Sequence, residues 1–161
     1  MKKVKKHLDS ILSKIIIFIM AFMVVNVLWQ VFSRFVLKNP SSFTEELARY
    51  LLIWLGLLGA SYASGQKLHL AIDLLPTKLK GRKKIYLDII IEFCVLLFSL
   101  TAMVIGGTRL VLITLELNQI SAALQIPLGY VYLVIPLSGA IMCFYSLFFI
   151  DNNINHLELI K

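Results

Sequence analysis

Four long apolar stretches alternate with short polar segments along this chain, at roughly Ile15–Leu37, Leu47–Ser64, Ile89–Leu112 and Tyr130–Ile150. Each has about the 17–25 residues that a helix needs to cross ~30 Å of hydrocarbon. Backbone groups in lipid must find partners within their own segment, and continuous apolar runs lack the alternation of barrel strands. The pattern therefore predicts an all-α, polytopic membrane protein: one domain over residues 1–161, with spans at about 15–37, 47–64, 85–112 and 130–150. The third begins ahead of its apolar run because Lys84, Asp88 and Glu92 follow one another at four-residue spacing. A helix over Ile85–Leu115 would measure about 46 Å at 1.5 Å per residue, so it must tilt or project. Pro136 predicts a kink in the fourth span.

Finer periodicities mark particular faces. Asn26, Gln30 and Arg34 lie four residues apart in span one, with Ser33 beside them. That spacing keeps them on one helix face, and lipid penalises such a stripe, so it is expected to face protein. Trp29 lies deeper than an interfacial aromatic belt and is expected to be packed. After the turn Asn39-Pro40-Ser41-Ser42, the pair Ser42 and Glu45 has the spacing of a capping box, with Glu46 adding favourable charge at a helix start. Span two carries Trp54 and a small-residue stripe of Gly56, Ala60 and Ser64, flanked by Gly59 and Ala63. Such a stripe lets another helix approach closely. Between Gly65 and Lys84, Leu68, Ile72, Leu75 and Leu79 recur at helical spacing around His69 and Asp73, which predicts a short amphipathic segment lying in the membrane interface.

Composition narrows the reading. With 59% hydrophobic residues and no polar gap longer than Gly65–Lys84, no soluble domain fits beside the spans. The formal charge of +7 is unevenly placed, with 12 of 16 basic residues before span one, in the Gly65–Lys84 gap or at Lys161. Arg34, Lys38, Arg49 and Arg109 fall near the other side. The positive-inside rule then predicts that both termini and the Gly65–Lys84 segment are cytoplasmic. These charges are topology signals and contacts for anionic phospholipid headgroups, not a nucleic-acid surface. The basic start and apolar run resemble a signal peptide, but the run is too long and no small-residue cleavage pattern follows, so a retained span is expected. Cys94 and Cys143 both fall within spans, and neither disulfide nor metal spacing is evident.

No catalytic chemistry is legible. His7, His69 and His156 all fall outside the spans, so axial haem ligands at hydrocarbon depth are missing. His69 with Asp73 supplies too few ligands for a metal. No nucleophile–base set or phosphate-cradling loop is present, and neither an enzyme nor a cofactor is expected. Glu92, about a turn inside span three, has two readings: an ion-relay carboxylate, or a helix-end group paired at the membrane edge beside Lys84 and Asp88. Arg34 near the end of span one and Glu45, Glu46 and Arg49 near the start of span two should lie at similar depth. Arg34 is expected to reach Glu45 or Glu46, with Glu45–Arg49 an i, i+4 pair; the alternative is a solvated helix end.

At these residues the chain resembles a known family. Trp29-x-Val31-x-x-Arg34, Phe43-Thr44-Glu45-Glu46-Leu47-Ala48-Arg49-Tyr50, Gly59-Ala60, His69-x-x-x-Asp73, Ile126-Pro127 and Tyr132-x-x-x-Pro136 resemble the small membrane subunit of tripartite ATP-independent periplasmic (TRAP) transporters. The likeness runs from Asn26 to about Met142, with Phe43 standing where the family usually has Trp. The resemblance implies a multi-pass protein of the bacterial inner membrane that pairs with a large TRAP membrane subunit and offers outer loops to a periplasmic substrate-binding protein. It implies sodium-driven uptake of an organic acid of the C4-dicarboxylate or sialic acid class, with substrate and sodium sites in the large subunit. Asn26, Trp29, Gln30, Arg34, Glu45, Glu46, Arg49, Trp54, Gly56, Gly59, Ala60, His69, Asp73 and Glu92 are the structural and interface candidates. Two other readings stay open: a stand-alone four-helix small exporter, which needs a carboxylate in span one that is missing here, and the membrane anchor of another complex, such as a respiratory one.

Overall fold

The computed structural model describes residues 2–39, 41–67 and 82–159. Helix α1 is Lys2–Phe35 and α2 is Ser42–Gly65. Helix α3, Arg82–Phe98, runs on through a π-helical stretch, Ser99–Gly106, into α4, Gly107–Glu116. The short α5, Leu128–Tyr132, leads into α6, Val134–Leu159. Four helical segments are long and apolar enough to cross a membrane: Lys3–Phe35, Ser42–Gly65, Arg82–Glu116 and Leu128–Asn155. Helices are the form that satisfies backbone hydrogen bonds within each segment, so this multi-pass, all-α membrane protein follows from its apolar runs.

Helix α1 starts well ahead of its apolar run. Lys5 and Asp9, one turn apart, form an ion pair of 2.8 Å that supports this extension. The third span is 35 residues long and includes a wider π-turn stretch that sequence periodicity does not announce. The fourth is interrupted at Leu133, three residues before Pro136. Proline has no N–H to give the Tyr132 carbonyl, which is the expected kink. The amphipathic segment carrying His69 and Asp73 lies outside the described residues.

The spans do not close around a common axis. Helix α1 packs on α2, α2 on α6, and α6 on α3 and the π-helical stretch, so the spatial order is one, two, four, three. Span four is the central member: 39% of its most apolar window is buried, against 17%, 17% and 11% for spans one, two and three. A core of Leu12, Ile19, Leu58, Val134, Tyr145 and Phe149 joins spans one, two and four.

Small and hydroxylated residues set the closest approaches. Ser61 Oγ bridges α2 to α6, donating within 2.9 Å of the Leu57 carbonyl and 3.1 Å of that of Ser138. A Cβ on Gly139 would lie 2.6 Å from Met103 Cβ, and one on Gly107 would lie 2.8 Å from Ile135 Cγ2. These two glycines let spans three and four touch backbone to side chain. Ser99 Oγ lies 3.1 Å from Cys143 Sγ in the same interface, which gives Cys143 a packing role.

Candidate functional site

Two polar clusters of the described residues lie at opposite ends of the helices. One end holds the turn after α1 and the loop Leu117–Pro127, and most of the residues singled out above converge there. Helix α1 stops where Lys38 takes a positive φ of 52° and Asn39 N–H reaches back 3.2 Å to the Ser33 carbonyl. Helix α2 is capped by Ser41, one residue earlier than the Ser42–Glu45 capping box expected. The Ser41 side chain accepts from Thr44 N–H at 3.4 Å, and Thr44 Oγ1 donates to the Ser41 carbonyl at 2.9 Å. Asn26 is buried and its Nδ2 donates to the Thr44 carbonyl at 2.8 Å, which ties α1 to the first turn of α2.

The expected polar stripe on α1 therefore divides. Asn26 and Ser33 are buried, Gln30 is half-buried and Arg34 is exposed. Within this chain Trp29 is 54% exposed and leans on Phe32. The stripe drifts around the helix by a few tens of degrees every four residues, so its far end leaves the α2 contact. The Arg34–Glu45 or Arg34–Glu46 pair is not formed. Glu45 pairs with Arg49 on its own helix, and the Arg34 guanidinium faces the Phe35 ring.

Glu46 has a different task. Its carboxylate accepts the Tyr50 hydroxyl at 2.7 Å and three consecutive backbone N–H groups: Ala122 at 3.1 Å, Ala123 at 2.7 Å and Leu124 at 2.8 Å. One anionic side chain thus holds the tip of the Leu117–Pro127 loop against α2, with charge-assisted bonds that are individually stronger than neutral ones. The loop is further closed on itself by Ser121 N–H to the Ile126 carbonyl and Leu128 N–H to the Gln119 carbonyl, both 2.9 Å. Behind it the Trp54 indole N–H donates to the Val131 carbonyl at 3.0 Å, just ahead of the helix interruption. Trp54 therefore locks α2 to the kinked start of span four.

Depressions lined by described residues surround this end. One of about 330 Å³ is lined by Gln30, Arg34, Ser41, Ser42 and Glu45. Another of about 200 Å³ lies across Glu45, between Arg49 and the Ala122–Ala123 tip. The third, of about 260 Å³, is an apolar hollow among Leu47, Tyr50, Leu51, Trp54, Ile126, Tyr130 and Val131. None encloses a nucleophile–base pair. No three His, Cys, Asp or Glu converge as metal ligands among the described residues.

The opposite end carries a cluster that the sequence pattern does not announce. Tyr145, fully buried, donates its hydroxyl to Asp9 at 2.5 Å, while Lys5 bonds the other Asp9 oxygen at 2.8 Å. Lys67 Nζ lies 4.5 Å from the Phe149 ring centroid, a cation–π contact. Gly65 gives Tyr145 its place, since a Cβ there would fall 2.5 Å from the ring. Spans one, two and four are thus fastened together by one tyrosine. The Lys5–Asp9 spacing is visible in the sequence, but the partner 136 residues away is not.

The small-residue stripe of span two divides: Ser64 is buried within this chain, while the part from Gly56 to Ala60 points elsewhere. A Cβ on Gly56 or Gly59 would meet nothing within 4 Å, and Gly56 and Ala60 are exposed. No described helix of this chain uses that face. Glu92 is half-buried on α3 and engaged in an interaction.

Comparison with known proteins agrees with this architecture. The family described as tripartite ATP-independent periplasmic transporters, DctQ component, matches residues 11–153. The chain is similar to the sialic acid TRAP transporter small permease protein SiaQ of Vibrio cholerae serotype O1, 28% identical over 141 residues, covering 83% of this chain and 81% of that protein. It is also similar to the C4-dicarboxylate TRAP transporter small permease protein DctQ of Rhodobacter capsulatus, 30% identical over 105 residues, 62% of this chain and 44% of that protein. A third likeness, 33% over 101 residues, is to the isethionate TRAP transporter permease protein DctMQ of Oleidesulfovibrio alaskensis, and spans 62% of this chain but 15% of that protein. The chain belongs to the DctQ component family of the tripartite ATP-independent periplasmic transporters, a family of transport components and not of enzymes.

Proposed function

We propose that this chain is the small permease subunit of a TRAP transporter in the bacterial inner membrane, where it pairs with a large permease subunit and frames it. The observation that carries the pairing is the match to 15% of a much longer protein that is itself named a TRAP transporter permease. The same kind of segment occurs there joined to a larger permease, so close association with one is its natural setting. Within this chain, the open face of Gly56, Gly59 and Ala60 is where a helix of that subunit can approach.

In this reading both termini are cytoplasmic, and the Glu46-held loop faces the periplasm, where a substrate-binding protein would meet it. The transported species is an organic anion, as in relatives named for sialic acid, C4-dicarboxylate and isethionate. Uptake is driven by the sodium gradient, and substrate and sodium are held by the large subunit. What supports the division of labour is that the helices are fastened to one another at both of their ends, by Glu46 and by Tyr145, which suits a frame.

The test is co-expression of the affinity-tagged chain with a large TRAP permease from the same genome. Recovery of the two in a one-to-one complex is the expected result. Purification of the chain as a homodimer would return the small-exporter reading, and a haem-bearing assembly would return the respiratory-anchor reading.

A further inference from the structure

We propose that the groove between the last turn of α1 and the first turn of α2 binds the headgroup of a zwitterionic phospholipid bearing a primary ammonium, namely phosphatidylethanolamine. The proposal rests on the chain's being a membrane protein and not on its role in transport.

The groove, about 330 Å³, has walls of opposite charge. On one side stand the Arg34 guanidinium and the Gln30 amide. Arg34 lines the groove, rests near the Phe35 ring and makes no ion pair among the described residues. On the other side stands Glu45, one of whose carboxylate oxygens is taken by Arg49 while the other accepts no bond from a described residue. Ser42, exposed at the start of α2, adds a hydroxyl between them.

Depth selects the ligand. Arg34 follows Ile15 by about 28 Å along the helix axis at 1.5 Å per residue, close to the ~30 Å of the hydrocarbon layer. The guanidinium therefore stands at headgroup level when the apolar run begins at the opposite edge. Arginine matches a phosphate bidentately, and a primary ammonium can donate hydrogen bonds to the vacant Glu45 oxygen. A choline headgroup has no N–H for Glu45, and a glycerol headgroup has no cation. A soluble anion would use only the arginine wall and would meet Glu45 as a like charge.

The experiment uses the full chain, purified, delipidated and titrated with phosphatidylethanolamine, phosphatidylcholine or phosphatidylglycerol, with bound lipid counted by native mass spectrometry. The readout is the lipid lost on Arg34→Gln, which separates this groove from the lysine-rich opposite end. Arg34 is exposed, so the variant should fold, and circular dichroism checks that it does. The expected result is one Arg34-dependent phosphatidylethanolamine per chain, held about tenfold or more tightly than the other two lipids. Glu45→Gln should remove that preference while leaving phosphate-dependent binding. Equal Arg34-dependent retention of all three lipids would overturn the proposal, as would retention that Arg34→Gln does not change. Displacement by millimolar inorganic phosphate alone would show a simple anion site and would overturn it too. Loss of the lipid on assembly with the large permease would make the groove a protein interface, with the same consequence.

Discussion

The Tyr145 hydroxyl donates to the Asp9 carboxylate at 2.5 Å, joining span four to the extension of span one across 136 residues of sequence. Tyr145 is fully buried, its ring against Gly65, so the bond is made in a packed setting. A hydrogen bond to a charged group contributes roughly 1.5–3 kcal/mol. Tyr145→Phe keeps the ring and removes that bond, and should lower unfolding stability in micelles by about this amount. An unchanged denaturation midpoint would show that Asp9 is satisfied without it.

At the other end, Glu46 holds three successive N–H groups of the Ala122–Leu124 tip. Glu46→Ala removes every one of these acceptors at once, while the helices keep their own packing. Hydrogen exchange at residues 117–127 should speed up about tenfold or more, with the protection of α2 and α6 little changed. Equal protection in variant and wild type would mean that the loop's own bonds suffice to hold it.

Gly139 and Gly56 sit in opposite surroundings, and substitution should separate them. Gly139 faces Met103 so closely that a Cβ would sit 2.6 Å from Met103 Cβ, whereas one on Gly56 would meet nothing. Gly139→Leu should destabilise the isolated chain by about 1–3 kcal/mol or more through overpacking. Gly56→Leu should leave the isolated chain within about 0.5 kcal/mol of wild type, as surface substitutions usually do, yet reduce recovery of the large permease in a pull-down. Normal recovery with Gly56→Leu would remove span two's open face as the docking side.

Orientation is tested by single-cysteine labelling in a background lacking Cys94 and Cys143. A cysteine at Ala122 should react with an impermeant reagent in intact cells, and one at Lys80 should react only after lysis. The basis is the crowding of basic residues around the Lys80 side. Labelling of Lys80 in intact cells would invert the topology.

What sequence makes legible is set by range. The four spans can be read because hydrocarbon imposes length and apolarity on each one locally, and the Glu45–Arg49 pair can be read because helical spacing imposes it. The order of the spans cannot, since nothing in one helix names its neighbour. Glu46 reads as a charge at a helix start, but its partners are backbone N–H groups, which leave no mark in a sequence. The partner expected for Arg34 is wrong: Glu45 pairs with Arg49 one turn along its own helix, and Glu46 is bound by the Tyr50 hydroxyl and the Ala122–Leu124 N–H groups. Tyr145 and Gly65 stay invisible because neither stands out from an apolar run until the two are brought together.

The role proposed for this chain is an indispensable frame that handles neither substrate nor ions. The most direct measurement is sodium-coupled uptake in proteoliposomes holding the large permease and the binding protein, with and without this chain. The same assay is repeated with the chain carrying Glu92→Gln, which alters the carboxylate inside an apolar span that sequence singles out as a relay candidate. The expected results are uptake at background without the chain, and wild-type sodium stoichiometry with Glu92→Gln. Full uptake in its absence, or a changed sodium stoichiometry in the variant, would contradict the frame.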